Sequence, residues 1–510
     1  MQFIQGKNRT QSILFPETLD QIIDQDNEVR IIDLFVESIN LKEFNFEVKA
    51  STEGRPPYNP KDLLKLYVYG YLNSIRSSRV LEKECKRNIE IMWLMKELAP
   101  DHNTISNFRR DNEKAIRKVF HYTVGIAKHF DLIGGKLIAG DSTKLRAQNS
   151  KKNNFNERKI ERHLAYIDNK LDEYNQALEL ADDENKSIIQ KEIQKQNNRK
   201  NQYHTLRAEL ASTGEVQISL SDPESRQMIT RNNITEVAYN VQTVVDAKHN
   251  LPIDYKVTNE NDSKAMGAML RRTKTILKTT DFTALYDKGY HTGTEIKTAI
   301  DLGIHIMVAI PEVASNAPDP AYNVANFKYD YVNDCYTCLQ EKKLITNGRW
   351  YNKDRGKSSV KVKHYKTSAC ITCPVKNSCT KSPNGRVIER SEHAQYIEQN
   401  QKNIEANPNL YKKRQSIVEH PYGILKRQWG FYYITTKKGK KRASADVGLM
   451  FVAYNLRRLM NILGKNDFEK FLRELGFLFF LKTTSVKVNK ALTMIPIFEG
   501  SEMNSFFRAA

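Results

Sequence analysis

Two short stretches decide the fold class: KLIAGD at residues 136–141 and FTALYD at residues 282–287. Each is a mainly apolar run that ends on an aspartate, and such a run predicts a buried strand with an acid where the strand stops. Three further β-rich runs and two helical stretches are separated by turns: strands at 237–247, 251–258 and 305–310, and helices near 263–278 and 293–302. Strands followed by alternating helices and strands predict a mixed α/β sheet.

The amino-acid composition indicates what kind of partner the protein binds. The chain has 510 residues, with 80 Lys and Arg against 60 Asp and Glu and a formal net charge of +20. A polyanion is the natural partner, although charge does not separate DNA from RNA and a merely soluble basic protein has the same balance. The length predicts two to four structural units. No run of about 18 apolar residues occurs, which predicts that no segment spans a membrane.

The N-terminus and the cysteines indicate the compartment. MQFIQGKNRTQ lacks the order of a secretory signal, in which basic residues precede apolar and then small ones. Five of the six cysteines lie between residues 335 and 379, which favours a metal site in a reducing compartment over a disulfide framework. We therefore expect a cytoplasmic protein.

An N-terminal helical domain is predicted over residues 1–125. Pro60 opens a helix, since proline fits the first helical turn, and Asp101 is a capping residue for a later one. The arrangement is similar to a helix-turn-helix. We expect Arg109 and Arg110 in its third element to contact a nucleic-acid backbone, although a solvated charged face has the same pattern.

A heptad pattern interrupts the sheet after its first strand. Its apolar residues step alternately by four and three positions: Ile160, Leu164, Ile167, Leu171, Tyr174, Leu178 and Ala181. Such a seam is typical of a coiled coil, and the acidic run that starts at Asp182 ends it. We predict a helical hairpin insertion over residues 151–213. Pairing of the seam with another subunit is the alternative.

Acidic side chains at strand ends are candidates for metal-dependent chemistry on a nucleic acid. Phosphodiester cleavage by two divalent cations, roughly 3.5–4 Å apart, needs carboxylates that converge from separate elements, and Mg²⁺ prefers carboxylate oxygens. Asp141 and Asp287 each end a predicted strand. Glu419 lies in a predicted helix among basic residues such as Arg414 and Lys426, which can bind phosphate. We predict these three acids as the catalytic set.

Each of these acids has an ordinary structural alternative. Asp141 and Asp287 are both followed by turn residues, so either fits a simple turn or helix cap. An isolated glutamate in a solvated helix, such as Glu419, is common. Asp446 is the rival third acid, and its helical setting also suits a capping residue.

The clustered cysteines form a pattern of metal knuckles: Cys335, Cys338, Cys370, Cys373 and Cys379. Paired C-x₂-C motifs suggest a tetrahedral structural zinc site, with one ligand more than such a site needs. Free cysteines in a metal-free insert are the alternative. The same segment is rich in lysine, and we expect it to face nucleic acid.

Three blocks, in this order, carry a resemblance to a known family: IAGDSTKLRA at 138–147, LYDKGYHTG at 285–293 and VEHPYGILKRQWGF at 418–431. With SDPESR at 221–226 and AYNLRRL at 453–459, they resemble DDE insertion-sequence transposases, and the closest subgroup is the eleven-eighty-two insertion-sequence family. The resemblance runs from about Tyr58 to Leu463. It implies a ribonuclease H-like core, in which Asp141, Asp287 and Glu419 match the first, second and third catalytic acids.

The resemblance also implies contacts with DNA. A Tyr-Arg-Glu-Lys signature of the related superfamily is matched by Tyr411, Arg414, Glu419 and Lys426. The spacing departs from that signature, because four residues separate Arg414 from Glu419 where the signature has three. We expect Lys288 and Trp429 to contact DNA as well, although a tryptophan is more often part of a core.

These expectations divide the chain into segments. After the N-terminal domain, the catalytic core comes in pieces at 126–150, 214–312 and 401–464, around the helical hairpin at 151–213, a basic, zinc-ribbon-like cysteine-rich domain at 313–400 and a tail at 465–510. The resemblance favours Cys338, Cys370, Cys373 and Cys379 as the zinc ligands, with Cys335 as a possible substitute.

The function that the resemblance implies is DNA transposition. The three acids would hold Mg²⁺ or Mn²⁺, and the enzyme would cut the transposon ends and join each 3′-hydroxyl to target DNA. The expected partners are double-stranded DNA, as terminal inverted repeats and target, and further copies of the chain in a homodimer or higher oligomer, within the bacterial nucleoid. The alternatives are a ribonuclease H-like nuclease without strand transfer and a non-catalytic DNA-binding protein derived from a transposase.

Overall fold

The computed structural model describes residues 18–47, 56–230, 234–312, 317–355, 358–436 and 438–483. The N-terminal sequence without a signal pattern, and the part of the predicted tail beyond residue 483, lie outside these residues. The chain divides into two compact units. Unit 1 comprises residues 1–134, 142–260 and 417–510, and unit 2 comprises residues 135–141 and 261–416.

Helices open the described chain in unit 1: α1 (Leu19–Ile22), α2 (Glu28–Glu37), α3 (Pro60–Leu72), α4 (Ser78–Glu84), α5 (Ile89–Leu94), α6 (His102–Asp111) and α7 (Glu113–His129). Two of their predicted starts are confirmed. The Asn59 side chain accepts from the Lys61 N–H at 3.0 Å where α3 begins, and Asp101 accepts from two backbone N–H groups at the start of α6. Each cap satisfies backbone donors that the first helical turn leaves unpaired.

The next elements are β1 (Leu137–Arg146), β2 (Asn154–Asn156), α8 (Glu157–Glu179), α9 (Asp183–Thr213), β3 (Gln217–Ser219), β4 (Arg226–Ile229), β5 (Thr235–Asp246) and β6 (Leu251–Thr258). In unit 1, β5 pairs antiparallel with both β4 and β6. Nearly every residue of β5 is buried, which agrees with its long apolar run. The predicted strands at 136–141, 237–247 and 251–258 are present. The prediction that the first strand stops at Asp141 is wrong, because β1 continues to Arg146.

The heptad seam lies along α8, which packs against α9. Ile160, Leu164 and Ile167 are buried, and the first two join an apolar cluster with Leu210 of α9. Further along the seam, the side chains of residues 171, 174 and 178 are half-buried. The inner part of the seam is therefore covered within the hairpin, which favours the hairpin reading over pairing with another subunit.

Parallel pairing occurs in unit 2. After α10 (Met266–Leu277) come β7 (Thr283–Tyr286), α11 (Gly293–Asp301) and β8 (His305–Val308). The first residues of β1 pair in parallel with β7, and β7 pairs in parallel with β8. The alternation of helices and strands predicted for residues 263–310 is confirmed. With parallel pairs here and antiparallel pairs in unit 1, the mixed α/β fold class is confirmed as well.

Short strands that the sequence did not predict build the cysteine-rich segment of unit 2: β9 (Lys328–Asp330), β10 (Cys335–Thr337), β11 (Lys343–Ile345), β12 (Tyr351–Arg355), β13 (Ser358–Tyr365) and β14 (Ile388–Ser391), with the short helix α12 (Lys376–Cys379). They form two three-stranded antiparallel sheets. One apolar cluster, which includes Phe327, Tyr336 and Tyr365, takes residues from both sheets.

The last helices are α13 (Ala394–Ala406), α14 (Pro408–Tyr422), α15 (Lys440–Leu463) and α16 (Lys465–Thr483). The predicted helix around Glu419 is confirmed as α14. Pro421 lies inside it, and a π-helical turn over Gly423–Gln428 follows directly. Proline has no N–H to donate, which agrees with the change to a wider turn at this point.

Helix α15 is buried along most of its length within unit 1 and packs on α7. It supplies a large part of the core of that unit. Across the part of the chain that the structure describes, no helix has both the length and the apolar character needed to cross a membrane.

Candidate active site

The register of two parallel strands brings two of the predicted acids together in unit 2. The last aligned pair of β1 and β7 is Ala139 with Leu285, and Asp141 and Asp287 each lie two residues further along. Neighbouring strands are about 4.8 Å apart. The two aspartates are therefore neighbours, and both are half-buried. Asp287 directly follows the end of β7, whereas Asp141 lies inside β1, just beyond the residues that pair with β7.

A glycine allows this close packing. A Cβ placed on Gly140 would lie 2.0 Å from the ring of Tyr286 on the adjacent strand, which no real side chain could accept. The tyrosine ring thus lies directly over the backbone that precedes Asp141. Any larger residue at position 140 would displace either the ring or the strand end that carries the acid.

The Asp287 carboxylate is held by the turn that follows β7. Its Oδ1 accepts from the Gly289 N–H at 2.9 Å, so the side chain has a fixed orientation. A Cβ on Gly289 would lie 3.1 Å from this oxygen and 3.6 Å from Oδ2 of Asp262. Sequence reasoning missed Asp262, which the structure places at the same turn. Its position shortly after the end of β6 was the signal that could have found it.

Helix α14 contributes two side chains to the same end of the strands. The Arg414 guanidinium donates through Nη1 to Oδ2 of Asp141 at 3.2 Å, and the Tyr411 hydroxyl donates to the carbonyl oxygen of Tyr286 at 3.0 Å. Burial alone would lower the pKa of Arg414, but the charge of Asp141 in particular raises it above its usual value. Arg414 therefore stays charged beside the two acids.

Burial raises the pKa of the Tyr411 phenol, and the nearby Arg414 charge acts in the opposite direction. The charges of Asp287 and Asp141 both act on this phenol. Tyr411, Arg414 and the two aspartates thus form one cluster within unit 2.

Glu419 lies further along α14 in unit 1, where it is exposed. It lines a cleft of about 690 Å³ in that unit, together with the basic residues Lys144, Arg146, Lys426 and Arg427 and the ring of Tyr432. Lys426 donates through Nζ to the carbonyl oxygen of Lys144 at 3.2 Å. The cleft also contains a second carboxylate, Glu236, which forms an ion pair with Arg146 at 3.5 Å. Four cationic side chains against two carboxylates leave an excess of positive charge, which suits a polyanion.

One expected DNA contact is wrong. Arg109 is only 4% exposed, and its guanidinium donates to the Tyr71 hydroxyl at 2.9 Å and to the Arg76 carbonyl oxygen at 3.2 Å. Its side chain stabilises the interior of unit 1 and does not face solvent. The neighbouring Arg110 is exposed and forms an ion pair with Asp111 at 2.6 Å.

Two other residues that we expect to contact DNA, Lys288 and Trp429, differ in their exposure to solvent. Lys288 is exposed in the turn after Asp287. Trp429 is half-buried, and its ring lies edge-on to Phe431 with the ring centroids 5.6 Å apart. Both side chains keep a solvent-facing part.

Asp446, the rival third acid, is fully buried in α15. Its Oδ2 accepts from the Thr435 N–H at 2.8 Å, and its Oδ1 accepts from the Thr435 hydroxyl at 2.9 Å. The Tyr71 hydroxyl donates to the same Oδ1, and Arg109 approaches it at 3.4 Å. Because internal donors already bind this carboxylate, we exclude Asp446 as a candidate metal ligand.

The cysteines separate into two environments. Cys335 is 2% exposed within β10, whereas Cys338, Cys370, Cys373 and Cys379 are half-buried and carry free thiols. Burial raises the pKa of Cys379, the Arg386 charge lowers it, and the other three half-buried thiols raise it. The four half-buried thiols are therefore close enough to interact electrostatically.

Within the described residues, no group of three or more His, Cys, Asp or Glu side chains is arranged to hold a metal ion. This holds for the cysteines as well as for the acids. The structure joins Asp141 with Asp287 in unit 2 and gives Glu419 a basic cleft in unit 1. The sheet-edge pair offers carboxylate oxygens of the kind that Mg²⁺ prefers, but two acids are part of a metal site and not the whole of one.

Two family models match the chain. Residues 17–111 match the model described as Transposase domain (DUF772), and residues 337–460 match the model described as Transposase DDE domain. The second match contains α14 with Glu419 and begins after both Asp141 and Asp287. No curated protein matches the sequence.

Among solved structures, the chain is similar to a cryo-EM structure of the piggyBac transposase synaptic complex with hairpin DNA. The two are 9% identical, and the alignment covers 91% of this chain and 83% of that chain with a TM-score of 0.28. A TM-score this low does not establish a shared fold.

The two matched domains are both transposase domains, one at each side of the strand-end acids. They support the function of a DNA transposase for this protein. The match at residues 337–460 supports the narrower class, a transposase with a DDE domain.

Proposed function

We propose that this DNA transposase cuts phosphodiester bonds at transposon ends and joins the freed 3′-hydroxyl to target DNA, with Asp141, Asp287 and Glu419 as its catalytic acids. We propose further that they lie on a ribonuclease H-like core of the eleven-eighty-two insertion-sequence type. The observation that carries the proposal is the parallel register of β1 with β7, which makes Asp141 and Asp287 neighbours. Acids carried on or directly after adjacent paired strands are held rigidly, as the chemistry requires.

In this proposal the divalent ion, Mg²⁺ or Mn²⁺, supplies activation of the attacking oxygen and stabilisation of the leaving oxygen. The ligands are Asp141 and Asp287, with Glu419 as the third. Asp287 keeps its orientation through the Gly289 N–H. Arg414 offsets the charge of Asp141, because its guanidinium forms an ion pair with that carboxylate.

In this proposal the DNA lies along the positively charged side chains. Lys144, Arg146, Lys426 and Arg427 in the cleft beside Glu419 bind phosphates of the DNA end. Arg110 and Lys288 are exposed and add contacts further along the duplex, and Trp429 stacks on a base. Because transposition pairs two ends, the working form is at least a dimer.

The half-buried cysteines are proposed as a structural zinc site, with Cys338, Cys370, Cys373 and Cys379 as ligands. These four thiols are half-buried whereas Cys335 is buried within β10, which supports this set over Cys335. Metal analysis of the purified protein tests it. We expect one zinc per chain, lost on Cys373→Ser and kept on Cys335→Ser, and a wild-type protein free of zinc would refute the site.

Transposition itself is tested with a supercoiled plasmid in which the DNA segments that flank the coding region bracket a marker gene. The purified protein, Mg²⁺ and a target plasmid are added, and the products are separated by size and sequenced across the junctions. Marker DNA joined to the target supports transposition. Cleavage without joining points to a nuclease, and a retarded but uncut plasmid points to a DNA-binding protein without catalysis.

A matched pair of variants connects this activity to the acids. Asp287→Asn removes the charge after β7, and Asp281→Asn removes one before the same strand, where Asp281 forms an exposed ion pair with Lys136. We expect joined products with Asp281→Asn and none with Asp287→Asn. Equal activity of the two variants would remove Asp287 from the catalytic set.

A further inference from the structure

Arg76 lies in the turn between α3 and α4, and it is 5% exposed. Its guanidinium carbon is 4.3 Å from the ring centroid of Phe431 and 4.5 Å from that of Tyr433. Its Nη1 donates to the carbonyl oxygen of Tyr433 at 2.7 Å. A planar guanidinium is thus stacked against two rings and hydrogen bonded to the backbone between the π-helical turn and α15.

The far end of this segment, residues 431–435, is held by Asp446. Both oxygens of that carboxylate accept from Thr435, one from its N–H and one from its hydroxyl. Asp446 also forms ion pairs with Arg76 at 3.7 Å and with Arg109 at 3.4 Å. Arg76, Arg109 and Asp446, together with Tyr71, form one buried network, and it fixes both ends of the 431–435 segment.

The same segment is tied to the end of strand β1. The Arg146 N–H donates to the carbonyl oxygen of Tyr432 at 3.1 Å, and the Ile434 N–H donates to the carbonyl oxygen of Arg146 at 2.7 Å. These two bonds alternate with the contacts that Phe431, Tyr433 and Thr435 make with the buried Arg76 and Asp446. The Tyr433 ring itself is 43% exposed. One side of the segment therefore faces the buried network, and the backbone between is paired with β1.

The pairing places two side chains on the wall of the cleft that contains Glu419. Both Tyr432, which is 49% exposed, and Arg146 line that cleft. Their positions depend on where residues 431–435 lie. That position is set by Arg76 from the N-terminal helices and by Asp446 from α15, all within unit 1.

We propose that Arg76 is a positioning residue for DNA cleavage: it holds the 431–435 segment against the end of β1 and so sets Tyr432 and Arg146 in the cleft beside Glu419. The inference rests on the proposed function of this cleft as the site of the DNA end. The N-terminal helices are then part of the catalytic apparatus in addition to any role in recognising DNA.

The test separates binding from cutting. A labelled duplex that carries one transposon end is titrated with each variant to obtain Kd, and its cleavage is followed under single-turnover conditions with protein in excess. We expect Arg76→Gln to lower the cleavage rate by roughly 10²-fold, the size of loss that a small misplacement of reacting groups causes. Kd should change little, because affinity for DNA comes from phosphate contacts spread over many cations.

Two further variants distinguish positioning from general stability. Arg76→Lys keeps the charge near Asp446 but has no planar face to stack between two rings, so it should cut at an intermediate rate. Tyr432→Ala should also slow cutting, and the double variant Arg76→Gln with Tyr432→Ala should be no slower than the more impaired single variant. Independent structural defects would instead add in free energy.

Ile91→Val is the stability control, since it removes one methyl group from a buried residue of α5 that lies outside the network. Its cutting rate per folded molecule should equal that of the wild type. The inference is overturned if Arg76→Gln cuts at the wild-type rate per folded molecule, or if the two losses are additive. Should Arg76→Gln fail to fold, Arg76→Lys decides: a wild-type rate for that variant also overturns it.

Asp287→Asn is measured in parallel to separate the two proposals. If Asp287→Asn is inactive while Arg76→Gln is fully active, only the positioning role of Arg76 fails. If Asp287→Asn cuts normally, the proposed catalytic site itself fails, whatever the behaviour of Arg76.

Discussion

Two clusters of aspartate and arginine differ in one physical respect, which is access to solvent. Asp141 and Arg414 form an ion pair with side chains that are 22% and 18% exposed. Asp446 is fully buried between Arg76 and Arg109, whose side chains are about 4–5% exposed. Both clusters have opposite charges at hydrogen-bonding distance or slightly beyond. Only the first lies where water, a metal ion or a phosphate can reach the acid.

The difference teaches how to tell a catalytic acid from a structural one. A buried carboxylate must have its oxygens satisfied by protein donors, since an unpaired one costs several kcal/mol, of order 3–5 when a partner is removed. Asp446 meets that requirement through Thr435, Tyr71 and the arginines. A carboxylate at a strand end can exchange its protein partner for a cation. The two clusters should therefore respond to mutation in opposite ways.

The largest expected effect is on catalysis at the exposed cluster. Asp141→Asn should lower the rate of DNA-end cleavage by at least about 10³-fold, as expected for a group that acts directly on the reacting centre. The melting temperature should stay close to that of the wild type, because the site is open to water. Single-turnover cleavage and thermal unfolding measure the two quantities. A variant that melts early and cuts normally per folded molecule would reverse the distinction between the clusters.

The buried cluster should show the opposite pattern. Asp446→Ala leaves Arg76 and Arg109 without their acid, and we expect it to destabilise unit 1 by about 3–5 kcal/mol. Urea unfolding measures this loss. Asp301→Ala, which removes a solvent-exposed partner of Lys297 on α11, is the control and should unfold like the wild type. Comparable unfolding curves for the two variants would contradict the structural role of Asp446.

The ion pair of Arg414 with Asp141 predicts a change in metal dependence. Arg414→Gln removes a positive charge that competes with a divalent ion for the carboxylate, so half-saturation should occur at several-fold lower Mg²⁺ concentration. The maximal rate should still fall by roughly tenfold or more, since a charged group is lost beside the reacting phosphate. Cleavage rates are measured over a Mg²⁺ titration. An unchanged midpoint, with Arg414→Lys as the charge-preserving control, would argue against competition.

The smallest expected effect separates the two neighbouring arginines of α6. Arg110→Gln should leave stability unchanged and reduce the salt dependence of DNA binding by about one unit of slope, as expected for one phosphate contact. Arg109→Gln should lower stability and leave that slope unchanged. Fluorescence anisotropy at several salt concentrations gives the slope. A loss of slope with Arg109→Gln, in a variant that is still folded, would restore Arg109 as a DNA contact.

The elements that the sequence predicted well are those with a strong local pattern. The strands β1, β5, β6 and β7 are apolar runs bounded by turns, and the seam of α8 repeats every heptad. The strands β9 to β14 were missed, because most of them have only three to five residues and the longer β13 is largely polar. These strands are stabilised by pairing with one another and by the apolar cluster around Tyr336 and Tyr365. No local sequence pattern predicts either kind of contact.

The candidate site also contains residues that a local pattern predicts and residues whose environment depends on tertiary contacts. Acids at the ends of apolar runs can be read from sequence, and Asp141 and Asp287 were predicted in that way. Glu419 was predicted from its place among basic residues in a helix. Arg109 and Arg110 are adjacent in sequence and equally basic, yet one is buried and the other exposed. The cause is Asp446, which lies 337 residues away along the chain. The role of Arg76 is invisible for the same reason, since its partners are in the segment after Trp429.

By itself, the sequence determined which strongly patterned segments become strands and helices, which acids follow apolar runs and that the molecule is strongly basic, because these properties depend on neighbours along the chain. Only the tertiary structure decided that β1 and β7 pair in the register that joins Asp141 to Asp287, and that Asp446 belongs to the interior. Pairing and burial depend on contacts between residues that are hundreds of positions apart. The free energy of those contacts, and not the local pattern, selects which charged groups keep access to solvent.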